Sequence, residues 1–263
     1  MPTSSKSTHN VHQAASDGYA LASKAYARGR PDYPPEISAW LAGVLGLGDS
    51  KTVIDLGAGT GKFTRRLTST GATVIAVEPV AQMLEKLHAE LPSVQALEGS
   101  ATCIPVPDSS ADAVVCAQSF HWFATTQALD EIHRVLKPGG QLGLVWNLRD
   151  DREAWVQQLN AIVDQVEGKA PRYATGAWRR VFPAKGFGPL QEQHFSNTHS
   201  GPAEDVILNR VRSTSFIAAL PEPTRKHIES QVRALIATDP SLQDKEIVTM
   251  PYTTAAYNTM KSM

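Results

Sequence analysis

The sequence predicts an α/β protein: a doubly wound, mostly parallel sheet of seven strands beneath a helical roof. Three observations carry that prediction. Strand-like and helix-like segments alternate across residues 51–147, the order that winds helices onto both faces of a parallel sheet. The strand segments are short apolar runs with few polar breaks, which suits strands buried on both faces. The chain has 263 residues, 42% hydrophobic and 19% charged, enough to bury one large core or two small ones.

Residues 1–50 read as an N-terminal helical lid. Lys51–Asp55 is a β-branched run that closes on an acid and then glycines, and Thr73–Val77 is a second such run, ended by Glu78 and Pro79. Val80, Met83, Leu84, Leu87 and Leu91 fall at i, i+3, i+4, i+7 and i+11, so the spacing predicts a helix with all five on the face that packs against the sheet. Pro79 in its first turn and Pro92 beyond its last set the limits. Val94–Leu97 is a weaker third strand and Ala111–Cys116 a fourth. Leu129, Ile132, Val135 and Leu136 mark the next helix. Lys137-Pro138-Gly139-Gly140 reads as its end and the turn into a fifth strand, Gln141–Trp146.

Val156, Leu159, Val163 and Val166 then mark a helix, and Ala177–Leu190 reads as loop, short helix and turn. Gln191–Thr198 reads as a polar strand, Ala203–Phe216 and Arg225–Thr238 as two helices, and Glu246–Asn258 as a strand returning beside the sheet. On this reading residues 51–150 form the core, and residues 151–263 complete the same domain as roof and closing strands.

Composition narrows the function classes. The 25 Lys+Arg against 26 Asp+Glu leave a net charge of −1, without the basic footprint of a protein that neutralises many phosphates. No apolar run approaches the ~18 residues of a membrane span, and the Ser/Thr-rich start lacks the apolar centre of a signal peptide. Cys103 and Cys116 are too few to staple the chain or build a Cys-rich metal centre. The expectation is a soluble cytoplasmic protein, monomer or homodimer, with no nucleic-acid or membrane partner and no metal.

The sharpest chemical signal is Asp55-Leu56-Gly57-Ala58-Gly59-Thr60-Gly61, directly after the first strand. Glycines there permit positive φ and let a ligand approach the main chain. The free N–H groups of the following helix would favour a carboxylate or other polar ligand at its start. A phosphate-cradling P-loop would need glycine at position 56 and Ser or Thr at position 63, where Leu56 and Phe63 stand. A dinucleotide fingerprint would need its third glycine at position 62, which is Lys62. Glu78 nevertheless lies near the ~20-residue offset such sites use for ribose, so a nicotinamide oxidoreductase stays open as a rival.

This run resembles the first motif of the class I S-adenosylmethionine-dependent methyltransferases. Ala76–Pro79 resembles that family's second-strand end, and Leu97–Pro105 followed by Asp108–Val115 its adenine-side loop and fourth strand. Leu129–Gly140 is similar to the helix and turn before its fifth strand. Tyr26–Pro34 and Gln118–Phe123 resemble the small-molecule branch with a methyltransferase type 11 domain, which includes trans-aconitate methyltransferases.

The resemblance implies a Rossmann-like methyltransferase fold, S-adenosylmethionine as cofactor and S-adenosylhomocysteine as product. It implies that Gly57, Ala58, Gly59 and Thr60 lie against the methionine part. Asp55 would orient the loop or, through water, the ammonium. Glu78, beside Pro79, would accept the ribose hydroxyls, with capping of the next helix as a compatible role. Ser100 and Ala101 would flank the adenine, and Met83 would pack on it or belong to the core. Gln118 would meet the methionine end or the acceptor. Tyr26 and Arg30 would fold over the cofactor carboxylate, or else Arg30 and Tyr33 brace an N-terminal helix.

His121 is expected to take the acceptor's proton or to hold its oxygen, with Trp122 and Phe123 as pocket walls. Tyr173, Trp178, Phe216 and Tyr252 of the roof would set the identity of a small acceptor methylated at a carboxylate, hydroxyl or ring nitrogen. A protein that binds the cofactor without transferring methyl is the other alternative.

Overall fold

Short β-branched segments and amphipathic helices assemble as the alternation dictates. The structure, a computed structural model, describes residues 29–168 and 171–262. Among these, seven strands form one sheet: β1 (Thr52–Leu56), β2 (Thr73–Glu78), β3 (Gln95–Glu98), β4 (Ala111–Ala117), β5 (Leu136–Arg149), β6 (Gln191–Gly201) and β7 (Val248–Met260). The order across the sheet is β3-β2-β1-β4-β5-β7-β6. Neighbours from β3 to β5 are parallel, and β7 runs antiparallel between β5 and β6. This is the doubly wound, mostly parallel sheet the sequence predicts.

The apolar runs lack polar breaks because both faces are covered. In β4, Ala113 and Val115 point into one core and Val114 and Cys116 into the other, and all four are fully buried. The first core takes Ile37, Trp40 and Leu41 of α1 (Glu36–Gly43), Leu67 of α2 (Thr64–Thr68) and Leu87 of α3 (Ala81–Glu90). The second takes Ala128, Leu129, Ile132 and Val135 of α4 (Thr126–Val135), with Trp178 from the short turn Ala177–Val181. Each large aliphatic side chain buried this way contributes ~1.5–3 kcal/mol relative to exposure.

The roof has its own core. Trp155, Val156, Leu159 and Val163 of α5 (Ala154–Asp164) pack with the segment Glu204–Asn209, α6 (Arg210–Arg212), α7 (Ser215–Ala218), α8 (Glu222–Thr238) and the first residues of β7. Among the described residues no helix is long and apolar enough to cross a membrane.

Three expectations about elements are corrected. Of the five-residue stripe expected to pack on the sheet, Val80 and Leu87 are buried, whereas Met83, Leu84 and Leu91 are only half-covered. The first turn of α3 overhangs the strand ends, so Met83 faces a cavity instead. Lys137–Gly140 is not a turn: Leu136 already pairs with Ala111, and a register shift between Ala111 and Ala113 absorbs the extra residues within β5. The helix expected over Ala203–Phe216 is broken between α6 and α7. There the Ser213 and Thr214 hydroxyls both donate to the Arg210 carbonyl, at 2.8 and 3.3 Å, competing with the helical ladder.

Candidate functional site

The site grows from the end of β1. Gly57 takes φ +73°, and a Cβ there would lie 2.7 Å from the Cβ of Ser119, so no side chain fits. The N–H groups of Gly57 and Ala58 both donate to the Val77 carbonyl, at 2.8 and 3.2 Å, which ties the loop to the end of β2. Gly59 N–H donates to Glu78 Oε2 at 2.9 Å, and Val80 N–H donates to Oε1 at 3.0 Å. Glu78 thus clamps the glycine loop to the start of α3. Its burial raises the carboxyl pKa above the ordinary value, with the two N–H bonds acting the other way.

The loop differs from expectation in one respect. The helix after it begins only at Thr64 and lasts five residues, while the N–H groups of Gly57, Ala58 and Gly59 are already engaged.

Asp55 lies beneath it, 1% exposed. Its Oδ2 accepts from Thr64 Oγ1 at 2.6 Å, and its Oδ1 has no hydrogen-bond partner among the described residues. Burial pushes its pKa up to about 7, the Thr64 bond opposing and the nearby Glu78 charge adding.

These groups open into a cavity of about 680 Å³ over the C-terminal strand ends, where open α/β sheets bind ligands. Arg30, Asp55, Gly57, Ala58, Gly59, Thr60, Glu78, Pro79, Met83, Ser100, Ala101, Gln118, His121, Trp122 and Phe123 all line it. Tyr26 lies outside the described residues. Gln118 holds φ +59°, a left-handed conformation rare for a side chain of this kind and of the sort that collects at ligand sites. The loop carrying Ser100 and Ala101 is gripped from α4. Glu131 Oε1 accepts from Ile104 N–H at 2.8 Å, and Arg134 donates to the carbonyls of Ile104 (2.9 Å) and Val106 (3.0 Å).

His121 sits in the single turn Phe120–Trp122. Trp146 Nε1–H donates to His121 Nδ1 at 3.1 Å. An indole nitrogen can only donate, so Nδ1 is an acceptor and the neutral ring carries its proton on Nε2. Burial, then the Arg30 and Arg172 charges, push the His121 pKa down to about 3. Trp122 packs against the imidazole with centroids 5.1 Å apart, and Phe123 meets Phe120 edge-on at 5.7 Å.

Of the four roof aromatics, Tyr173 and Phe216 line the cavity and Trp178 and Tyr252 do not. Trp178 is buried against Trp146, Tyr257 and Phe120, and Tyr252 lies in the roof core. Sequence reasoning missed Trp146 and Asn147, whose signal was their place at the C-terminal end of the fifth strand. Asn147 Oδ1 accepts from Thr254 Oγ1 at 2.5 Å and Asn197 Nδ2 at 3.2 Å, joining β5, β7 and β6 under the cavity. It also missed Arg149, Arg172 and Arg210, which line the same space from β5 and the roof.

The methyltransferase domain family matches residues 54–144. A methyltransferase-like protein of Schizosaccharomyces pombe is 37% identical over 237 residues, covering 90% of this chain and 92% of that one. The chain belongs to the methyltransferase family. Two solved structures share the fold of this methyltransferase chain. The YcgJ protein of Bacillus subtilis superposes with a TM-score of 0.56 at 19% identity, covering 87% of this chain and 99% of that one. A phosphoethanolamine N-methyltransferase of Haemonchus contortus, solved with phosphomonomethylethanolamine and S-adenosylhomocysteine, gives 0.51 at 15% identity over 87% of this chain and 53% of that one. The stretch matched to the methyltransferase domain contains Asp55, the glycine loop, Glu78, Ser100 and Gln118–Phe123, while the roof lies beyond it.

Proposed function

We propose that this chain binds S-adenosylmethionine in the cavity and transfers its methyl group to a small-molecule acceptor. The observation that carries the reading is a convergence in one cavity. A turn with no room for a Cβ, a buried Asp55 with an unpartnered Oδ1, and Glu78 with lone pairs to spare meet within hydrogen-bonded reach of one another. Those residues fit the cofactor: a flat approach for its methionine part, a buried carboxyl that orients the loop or, through water, its ammonium, and acceptors for its ribose hydroxyls. Each Glu78 oxygen has two acceptor positions, so ribose binding and the clamp on the loop coexist. Ser100, Ala101 and Met83 flank the adenine, Gln118 meets the methionine end, and Arg30 lies toward the carboxylate. The Haemonchus neighbour, solved with S-adenosylhomocysteine, supports the cofactor's identity.

When bound, the cofactor supplies a methyl group made electrophilic by its sulfonium. The protein then has to align the acceptor and exclude water, and Trp122 and Phe123 wall the acceptor side. His121 is assigned as a positioning donor through Nε2–H toward an acceptor oxygen. Service as a proton acceptor would need a bare Nε2, which the Trp146 bond disfavours. A ¹⁵N spectrum of the ring at pH 6 should show the neutral Nε2–H tautomer, and a charged or Nδ1–H ring would overturn the assignment.

Incubation with methyl-labelled S-adenosylmethionine and fractionated small metabolites tests the function. Labelled product formed with S-adenosylhomocysteine is the expected result. Tight cofactor binding with no labelled product from any fraction would leave a binding protein. Failure to bind S-adenosylhomocysteine at all would sink the cofactor assignment.

A further inference from the structure

The roof side of the cavity carries three arginines, Arg149, Arg172 and Arg210, against Asp151 and Asp164 in the same lining. Arg172 is compensated by ion pairs with Asp164 (2.9 Å) and Glu167. Arg149 and Arg210 make no ion pair: among the described residues neither has a carboxylate within 4.0 Å, and Arg149 feels Asp164 only from beyond that distance. Arg149, at the end of β5, donates through Nη1 to Asn160 Oδ1 at 2.7 Å. Arg210, in α6, donates through Nη1 to Thr214 Oγ1 at 3.2 Å, while its buried Nε finds no partner among the described residues. Of residues 1–28, Asp17 alone is acidic, so that segment holds at most one side-chain carboxylate to set against the cluster.

Two guanidinium groups deep in one cavity, bonded only to neutral oxygens, are costly to bury and repel each other. Burial pushes the Arg210 pKa down to about 10, with Tyr252 opposing and the charges of Arg149 and Arg30 adding to the shift. A guanidinium offers a planar fork of donors matched to carboxylate or phosphate. An oxyanion seated between the two would relieve the repulsion and occupy the orphaned donor. The cofactor's own carboxylate is expected elsewhere, beside Arg30, whose carbonyl accepts from Lys62 Nζ next to the glycine loop. Arg149 stands at the end of β5, on the far side of β4 from that loop.

We propose that Arg149 and Arg210 form an anion-binding subsite for the methyl acceptor, which carries a carboxylate or phosphate group remote from the atom that is methylated. This rests on the reading of the cavity as a methyl-transfer site. Across that cavity His121 would hold the reacting end while the two arginines hold the charged end.

The test uses the full chain saturated with S-adenosylhomocysteine, or turning over labelled S-adenosylmethionine. A metabolite pool is split by anion exchange into retained and unretained fractions. Label should enter the retained fraction alone, and Arg149→Gln and Arg210→Gln should each raise KM for the labelled acceptor at least tenfold. Affinity for S-adenosylhomocysteine should stay within twofold. Independently, glutarate or inorganic phosphate should raise the melting temperature of the wild-type complex and not that of either variant, with glutaramide inert; comparing the first two separates carboxylate from phosphate preference. Arg149→Lys and Arg210→Lys, which keep the charge without the fork, should recover part of the effect and serve where a glutamine variant does not fold.

Label in the unretained fraction, unchanged KM, or equal responses to glutarate and glutaramide would overturn the subsite. So would an equal loss of S-adenosylhomocysteine affinity in the variants, which would assign the arginines to the cofactor. A wild-type chain that binds no S-adenosylhomocysteine fails the cofactor reading first, so the two failures are distinguishable.

Discussion

Asp55 is a carboxyl whose role depends on whether it is charged. Its proton is held up to about pH 7 in the fold, against 3.8 for the free side chain. Because the folded protein keeps a proton that the unfolded chain has released, this group favours the fold fully below about pH 4 and loses that contribution as pH rises to about 7. Asp55→Asn keeps an acceptor for Thr64 and removes the titration. We expect the variant to melt higher than wild type at pH 8 and alike near pH 4. Affinity for S-adenosylhomocysteine should rise with pH through about 7 in wild type, as the carboxylate forms, and stay flat and weaker in the variant. A variant curve parallel to the wild-type one would remove Asp55 from the ammonium site. The position of this acid at a strand end before glycines was readable from the sequence. The tautomer of His121 was not, because its cause, Trp146, lies on β5, far along the chain.

At the scale of elements, the glycine loop works because three neighbours press on it: Ser119 from the end of β4, Val77 and Glu78 from β2. Gly57→Ala would place a side chain in a left-handed conformation, at ~1–2 kcal/mol, and drive its Cβ into Ser119. A urea titration should show at least that loss, and S-adenosylhomocysteine binding should weaken tenfold or more. Wild-type affinity in the variant would mean that the loop relaxes freely and that its tightness is not functional. The breaks in other elements were less legible. A 3.6-residue stripe marks a helix but does not say which of its residues overhang a sheet edge, as Met83 does. Nor does it register that Ser213 and Thr214 will turn their hydroxyls back on Arg210.

On the scale of the whole molecule, β7 joins the parallel core to a polar outer strand. It pairs with β5 along Gln141–Arg149 and with β6 along Gln191–Gly201, and it buries Ala255, Ala256 and Tyr257. Its first residues also enter the roof core through Val248, Met250 and Tyr252. Removing Val248–Met260 would bare the edge of β5, leave β6 without its partner and open the roof. The truncated chain is expected to lose cooperative thermal unfolding followed by circular dichroism; a sharp transition near the wild-type temperature would contradict this account.

Features written in contiguous residues were legible from the chain: the alternating strands and helices, the glycine turn with Asp55, Glu78 one strand later, and the Gln118–Phe123 segment. The first two follow from local φ/ψ preference or a hydrophobic period, which a short run of residues carries with it, whereas Glu78 and the Gln118–Phe123 segment were read from their resemblance to a known family. The tautomer of His121, the grip of Arg134 on the adenine-side loop and the meeting of Arg149 with Arg210 appear only in the folded chain. Burial, charge and hydrogen-bond partners belong to neighbours in space. The residues that supply them here come from β5, α4 and the roof, brought over the strand ends by packing that no local pattern encodes.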